Sequence, residues 1–369
     1  MGRTRTMADE KYSINIVVLG KTGAGKSSFC NYFFDLPGRF SAGNGKPVTT
    51  WEQNFQSHEF ERHGFSLRVF DSVGIEPDNY KDWNERFRHF LDECNQPDSP
   101  EKWMHGFFYV INANSARFER VEEELIREAS KQRAPLQIIL TNCDAAGQKT
   151  GELRAVIAKA FPDLILHEVC SVALRKRSGE TTECFGREEV LSTYLEQSRA
   201  FLRRRLGVMS CQRTRKALTE CRDRVVARIK ESKLSVFNMA SFDPDEMLTM
   251  PDLEKKLADY DMFRGYLSAF GFSSDDDLSW EIERTVTSGF EDMGASLTNR
   301  LEDMSSKLEK GSFTEKVSAS YNMAKTVLTM KSTLADAIKA DVDGVIANIW
   351  RLEAKYAGNN LFSHMFDAQ

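Results

Sequence analysis

The sequence contains no C-x-x-C pair, and its seven cysteines (Cys30, Cys94, Cys143, Cys170, Cys184, Cys211, Cys221) are odd in number and have no histidine partners at zinc spacing. That usage excludes a structural zinc site and points to reduced thiols in a cytoplasmic setting. No apolar run approaches the length needed to cross a bilayer, and the N-terminus carries no apolar signal core. Met1 to Thr6 formally fits an N-acylation pattern but reads as a basic leader. Positive charge is not in excess either: 50 Lys and Arg face 55 Asp and Glu, for a net charge of −5. Nothing global therefore favours nucleic acid, and any basic surface is local. What is present, 41% hydrophobic and 28% charged residues over 369 positions, describes a globular chain long enough for two domains.

The stretch around which the chain is organised is Gly20-Lys21-Thr22-Gly23-Ala24-Gly25-Lys26-Ser27. It fits the phosphate-binding pattern G-x-x-x-x-G-K-S/T at every fixed position. The apolar run Ile14 to Leu19 precedes it as a strand, and Ser28 to Phe34 continues it as a helix. Glycines let successive N–H groups turn toward phosphate oxygens at a helix N-terminus. Lys26 would neutralise phosphate charge, and the Ser27 hydroxyl would take a position on Mg²⁺. Lys21, Thr22, Gly23, Ala24, Gly25 and Ser28 complete the expected phosphate contacts.

Further strands follow in alternation with helices. A glycine-rich stretch from Pro37 to Pro47 leads to Thr49 and Thr50, then to a plausible edge strand, Phe55 to Phe60. Thr49 is the first choice for a residue that senses the γ-phosphate and Mg²⁺, and Thr50 the second. Phe65 to Phe70 runs into Asp71-Ser72-Val73-Gly74, where a strand-end carboxylate can reach the metal shell and Gly74 can present its N–H to phosphate. Helix signals at 78–104 and 119–133 alternate with strands at Gly106 to Ile111 and Leu136 to Leu140. The last of these delivers Thr141-Asn142-Cys143-Asp144, whose carboxylate can accept N1–H and N2–H₂ of guanine. A helix over Gly151 to Ala160 and a strand over Leu164 to Cys170 end at Ser171-Val172-Ala173, where backbone N–H groups can meet the base oxygen. This alternation predicts an α/β fold with a mostly parallel sheet and helices on both faces.

These motifs, in this order, resemble a P-loop GTPase of the translation-factor-related class, similar to the Era-like and dynamin-neighbouring G domains. The resemblance covers about residues 12–200 and implies GTP or GDP and Mg²⁺ as ligands. It assigns Ser27, Thr49 and Asp71 to the metal, and Lys26 and Thr49 to catalysis. The sequence departs from the family pattern twice. Asn142 replaces the lysine of T/N-K-x-D, whose stem covers the base and braces the loop. Ile75 follows Gly74 where many small GTPases carry a glutamine that orients water. Hydrolysis is therefore expected to be slow, or to be completed by dimerisation or by a partner.

From about residue 188 the texture changes: strands vanish, and the only later prolines are Pro244 and Pro251. Helices are expected over Leu191 to Leu206, Arg213 to Phe237, Leu253 to Phe270, Trp280 to Leu308 and Thr314 to Tyr356, forming an all-α helical bundle over 201–369. A basic run between Arg199 and Lys233 is a candidate contact for a membrane surface or RNA, although it lacks aromatics for base stacking and also reads as a solvated face. Met323, Val327, Leu328, Met330, Leu334, Ile338, Val342, Ile346, Ile349 and Leu352 read as bundle core or a helix-pairing surface. The expected function is a slow Mg²⁺-dependent GTPase whose nucleotide state controls the helical region. The alternative is a non-catalytic GTP-dependent scaffold acting at a membrane or on a protein or RNA partner.

Overall fold

The computed structural model describes residues 12–40, 55–62, 65–72, 80–94, 96, 99–115, 117–173, 181–231, 281–282, 284–289, 292, 299 and 319–357. Thr49, Thr50, Gly74, Ile75, the N-terminal leader, Lys233 and the helix expected over 253–270 lie outside them. The chain divides into two compact units, Met1–Leu202 and Arg203–Gln369.

The first unit is built on six strands: β1 (Tyr12–Leu19), β2 (Phe55–Arg62), β3 (Phe65–Ser72), β4 (Met104–Asn112), β5 (Leu136–Thr141) and β6 (Ile165–Val169). Their order across the sheet is β2-β3-β1-β4-β5-β6. β2 runs antiparallel to β3 at one edge, and all other pairs are parallel. Sequence character explains the positions. β4 and β5 are near-continuous apolar runs, buried along almost their whole length, as strands covered on both faces must be. β2 carries Gln56, Ser57, His58, Glu59, Glu61 and Arg62, a composition suited to an edge.

Helices α1 (Lys26–Phe33), α2 (Tyr80–Cys94), α3 (Arg120–Ser130), α4 (Cys143–Ala146) and α5 (Gln148–Ala160) connect the strands, and α6 (Arg187–Glu231) leaves the unit. Successive residues of β4 address opposite faces of the sheet. Phe108 meets Phe29 and Phe33 of α1 with ring centroids 5.4 and 5.0 Å away, and Tyr194 of α6 at 5.7 Å. Tyr109, next in sequence, instead feels Glu122 of α3 and Tyr80 of α2, so helices cover both faces. Gly106 leaves room for the Tyr194 ring, since a Cβ there would lie 2.5 Å from ring carbon Cε2.

One helix replaces the two expected on either side of residues 207–212: α6 is continuous from Arg187 to Glu231, and its residues from Arg203 onward belong to the second unit. Gly207 is a packing residue there, because a Cβ on it would lie 2.6 Å from Cγ of Tyr356. Tyr356 belongs to α7 (Ala319–Ala357), whose buried stripe includes Leu334, Ile338, Val342, Val345 and Ile349. Leu328, expected with that stripe, falls off it and is 67% exposed. Helical residues 281–282 and 284–289 complete the packing, with Ile282 and Val286 buried and Glu281 accepting hydrogen bonds from Lys355 Nζ at 2.6 Å and Tyr356 Oη at 2.5 Å.

The basic run sits on α6, and part of it is occupied within the unit. Arg215 pairs with Glu353 at 2.5 Å and stacks over the Trp350 ring at 3.4 Å. Arg222 pairs with Asp343 and, at 2.8 Å, with Asp223, while burial pushes Arg205 down to about 10. No helix among the described residues is long and apolar enough to cross a membrane. Gly207→Ala is expected to destabilise the helical unit by about 1–3 kcal/mol through collision with the Tyr356 ring. Circular dichroism during thermal unfolding would show it as an earlier loss of helix; an unchanged transition would mean the ring moves aside freely.

Candidate functional site

The glycine loop joins β1 to α1 at the carboxyl ends of the parallel strands, where this class of sheet binds ligands. Two glycines are required by geometry. Gly20 has φ 145°, and a Cβ there would lie 2.3 Å from the carbonyl oxygen of Val110; Gly25, which opens α1, has φ 90° and lies against Thr141. Lys26 folds back under the loop it follows. Its Nζ donates to the carbonyls of Gly20 at 2.9 Å and Lys21 at 3.1 Å, and the residue is only 8% exposed. Burial pushes the Lys26 pKa down, and the nearby Asp71 carboxylate opposes that shift.

Asp71 is brought to the loop by register: β3 pairs with β1 so that Asp71 lies opposite Val18, one residue before the strand ends. Ser27 Oγ donates to Asp71 Oδ2 at 3.2 Å. The other oxygen, Oδ1, is buried and has no hydrogen-bond partner among the described residues, and the same holds for Thr22 Oγ1. Burial pushes the Asp71 carboxyl up, against the pull of Lys26, the Ser27 hydroxyl and His58. A hydroxyl and a carboxylate with an unsatisfied oxygen, beside a buried ammonium, form a hard oxygen donor set of the kind that suits Mg²⁺. Among the described residues no three His, Cys, Asp or Glu side chains gather as a metal cluster. Mg²⁺ held by one carboxylate, one hydroxyl and phosphate oxygens needs none.

The remaining expected residues divide into distinct positions. Thr141 is 1% exposed and does not face solvent. Its hydroxyl hydrogen-bonds the carbonyls of Ala24 at 2.6 Å and Ile111 at 3.3 Å, so it braces the loop from β5. Asn142 itself adopts a left-handed conformation (φ 55°, ψ 33°), which asparagine tolerates better than most side chains, and caps the short α4. Asp144 stands in the first turn of α4 with an exposed carboxylate. Ser171 and Val172 follow β6, with Val172 51% exposed. Ser28 continues α1 behind Ser27.

The Lys21 side chain is engaged by two carboxylates at the start of α3. Its ammonium lies 2.9 Å from Glu119 and 3.1 Å from Glu122. Sequence reading also missed the segment that meets Asp144 and the end of β6. Thr182 Oγ1 donates to Asp144 Oδ2 at 3.3 Å, and Phe185 exchanges backbone hydrogen bonds with Cys170 at 3.1 and 3.2 Å. Neither contact has a local signal, because the partners are 38 and 15 positions apart in the sequence.

Residues 15–142 match the family model of the 50S ribosome-binding GTPases. The first unit has the P-loop GTPase fold. No curated protein matches the chain. Among solved structures, this G domain is similar to the septin GTPase domain of Chlamydomonas reinhardtii (15% identity, TM-score 0.40, 51% of this chain and 94% of that one). It is also similar to Toc33 of Arabidopsis thaliana, solved in complex with Mg²⁺ and GMPPNP (15% identity, TM-score 0.35, 51% and 85%). A probable GTP-binding protein, EngB, is similar at 13% identity and TM-score 0.35, over 50% of this chain and 98% of that one.

Replacing Thr141 by Val keeps the shape of the side chain but leaves the Ala24 carbonyl of the G domain without its hydroxyl donor. A loss of about 1–2 kcal/mol in unfolding free energy is expected. Urea unfolding of the full chain would measure it; an unshifted midpoint would remove the bracing role.

Proposed function

We propose that the chain binds GTP and GDP with Mg²⁺, hydrolyses GTP slowly and uses the nucleotide state of the G domain to control its helical unit. One observation carries the binding reading: the Ser27–Asp71 pair, with Asp71 Oδ1 buried and unpartnered, lies beside the Lys26 ammonium at the mouth of a glycine loop. Ser27 Oγ and Asp71 would hold Mg²⁺, which neutralises charge on the β- and γ-phosphate oxygens when bound. Lys26 already faces two carbonyls of the loop and is positioned to exchange them for phosphate oxygens, a stronger charge-assisted contact. The exposed carboxylate of Asp144 accepts two guanine N–H donors that adenine does not present. Thr49 and Gly74 are assigned to the γ-phosphate side by their motifs.

Slow turnover follows from Ile75, since an aliphatic side chain neither accepts nor donates a hydrogen bond to water. Completion of the site by a second copy is the corresponding proposal for a partner, and the Era-like placement and the cytoplasmic setting rest on motif spacing and thiol usage. A scaffold in which hydrolysis is incidental is the second reading, favoured by Ile75 and Asn142. A membrane or RNA contact through the α6 basic run belongs to that reading, with Arg215 and Arg222 already engaged within the unit.

Asp144→Asn is expected to shift preference from guanine to xanthine nucleotides by about tenfold or more, since the amide presents a donor where a carboxylate accepts. Competition titration against a fluorescent GDP analogue reads it, and unchanged guanine preference would release Asp144 from base recognition. Turnover per molecule measured over a wide range of protein concentration separates the dimer-completed enzyme, whose rate rises, from an independent monomer, whose rate stays flat.

A further inference from the structure

Lys21 lies inside the phosphate loop, yet its side chain is spent on two carboxylates at the start of α3. The ammonium is 2.9 Å from Glu119 Oε1 and 3.1 Å from Glu122 Oε2. Neither carboxylate is free to leave. Glu119 is the N-cap of α3 and Glu122 its third residue, and each side chain accepts the other's backbone N–H in a reciprocal capping box; the Glu119 N–H reaches Glu122 Oε2 at 2.9 Å. The Glu122 side chain is only 2% exposed, so its charge is poorly screened by solvent. Burial pushes its carboxyl up, against the Glu119 N–H and Lys21. At the same residue, the Lys21 carbonyl accepts from Lys26 Nζ at 3.1 Å. One residue thus joins the loop's main chain to the Lys26 ammonium and, through its own side chain, joins the loop to α3.

We propose that Lys21 is a positioning and charge-compensating residue: it neutralises the Glu119–Glu122 pair next to the phosphate loop and anchors the loop to α3, and it is not a phosphate ligand. Two helix-capping carboxylates within reach of a P-loop side chain are unfavourable neighbours for a polyanion. The caps require them as carboxylates or as isosteric amides, so compensation has to come from the loop side. Lys21 supplies it without leaving its ion pairs. The same helix is tied onward to α2 by Arg88 and Glu128 at 3.1 Å, so the anchor is made to a braced element.

The inference rests on the nucleotide-binding reading above, and its test separates the two. Affinity of the full-length chain for fluorescent GTP and GDP analogues is measured for wild type, Lys21→Met and the triple variant Lys21→Met/Glu119→Gln/Glu122→Gln. If wild type binds neither analogue, the nucleotide-binding reading fails, and this inference with it. Given wild-type binding, Lys21→Met is expected to weaken affinity about tenfold, with a deficit that salt relieves only in part, since it screens the exposed Glu119 and not the buried Glu122. The triple variant is expected to recover most of the loss, because the glutamines keep the cap's size and acceptor oxygens while removing its charge. A triple variant no better than Lys21→Met would overturn the proposal and make Lys21 a direct phosphate ligand. Unchanged affinity in Lys21→Met would overturn it as well. Thermal unfolding of each variant, read in parallel, assigns any loss of binding by a misfolded chain to instability, and Lys21→Arg, which keeps the charge, is then expected to bind like wild type.

Discussion

A buried ammonium organises the G domain. Lys26 is the first residue of α1, almost without solvent, and its charge is accommodated by the carbonyls of Gly20 and Lys21 and by the field of Asp71. Burying a cation is unfavourable unless oxygen atoms replace its water, and here the loop backbone supplies them. The loop that does so demands glycine at position 20, where a Cβ would lie 2.3 Å from the Val110 carbonyl oxygen, and at position 25, where α1 opens against Thr141. The loop, the helix it starts and the strand register that brings Asp71 alongside follow from accommodating one charge.

Around that charge the molecule places supports from three directions. Thr141 holds the loop from β5, Glu119 and Glu122 hold it from α3 through Lys21, and Ser27 links it to Asp71 on β3. Each support comes from a different strand–helix unit. The phosphate loop therefore reports on the integrity of the whole sheet, a sensible arrangement for a domain whose loops are proposed to respond to the ligand. The atoms left over, Asp71 Oδ1 and Thr22 Oγ1, are buried polar groups without partners among the described residues. Buried polar groups normally find partners, and these two oxygens, on the loop and beside it, are the ones the proposed ligand would complete.

Much of this was legible from local pattern. Apolar runs identified the parallel strands, because strands buried in a sheet cannot hide their composition, and the polar sequence of β2 marked it as an edge. The loop motif and the aspartates at strand ends were legible for the same reason: phosphate and metal chemistry constrains residue type at short spacing. Helix continuity was not legible at Gly207. A glycine inside a helical pattern reads as a break, whereas here it lies within a continuous α6 and leaves the space that the Tyr356 ring fills. Nor was the division of labour at Thr141, Lys21 and Thr182, whose partners lie far away along the chain. The basic run showed the same limit, since its ion pairs with Glu353 and Asp343 arise only when α6 and α7 lie together.

Short-range chemistry thus determined by sequence alone that a phosphate-binding loop sits on a parallel α/β sheet, with carboxylates at later strand ends and helices following. Those properties depend on residue type and spacing within a few positions, which a linear sequence preserves. Tertiary structure alone decided which side chain does what within that frame. Lys21 turns to α3 because two capping carboxylates stand within about 3 Å of its ammonium. Thr141 turns to the loop because β5 ends against it, and a buried hydroxyl requires an acceptor. Both outcomes are settled by partners that only folding brings within hydrogen-bonding distance.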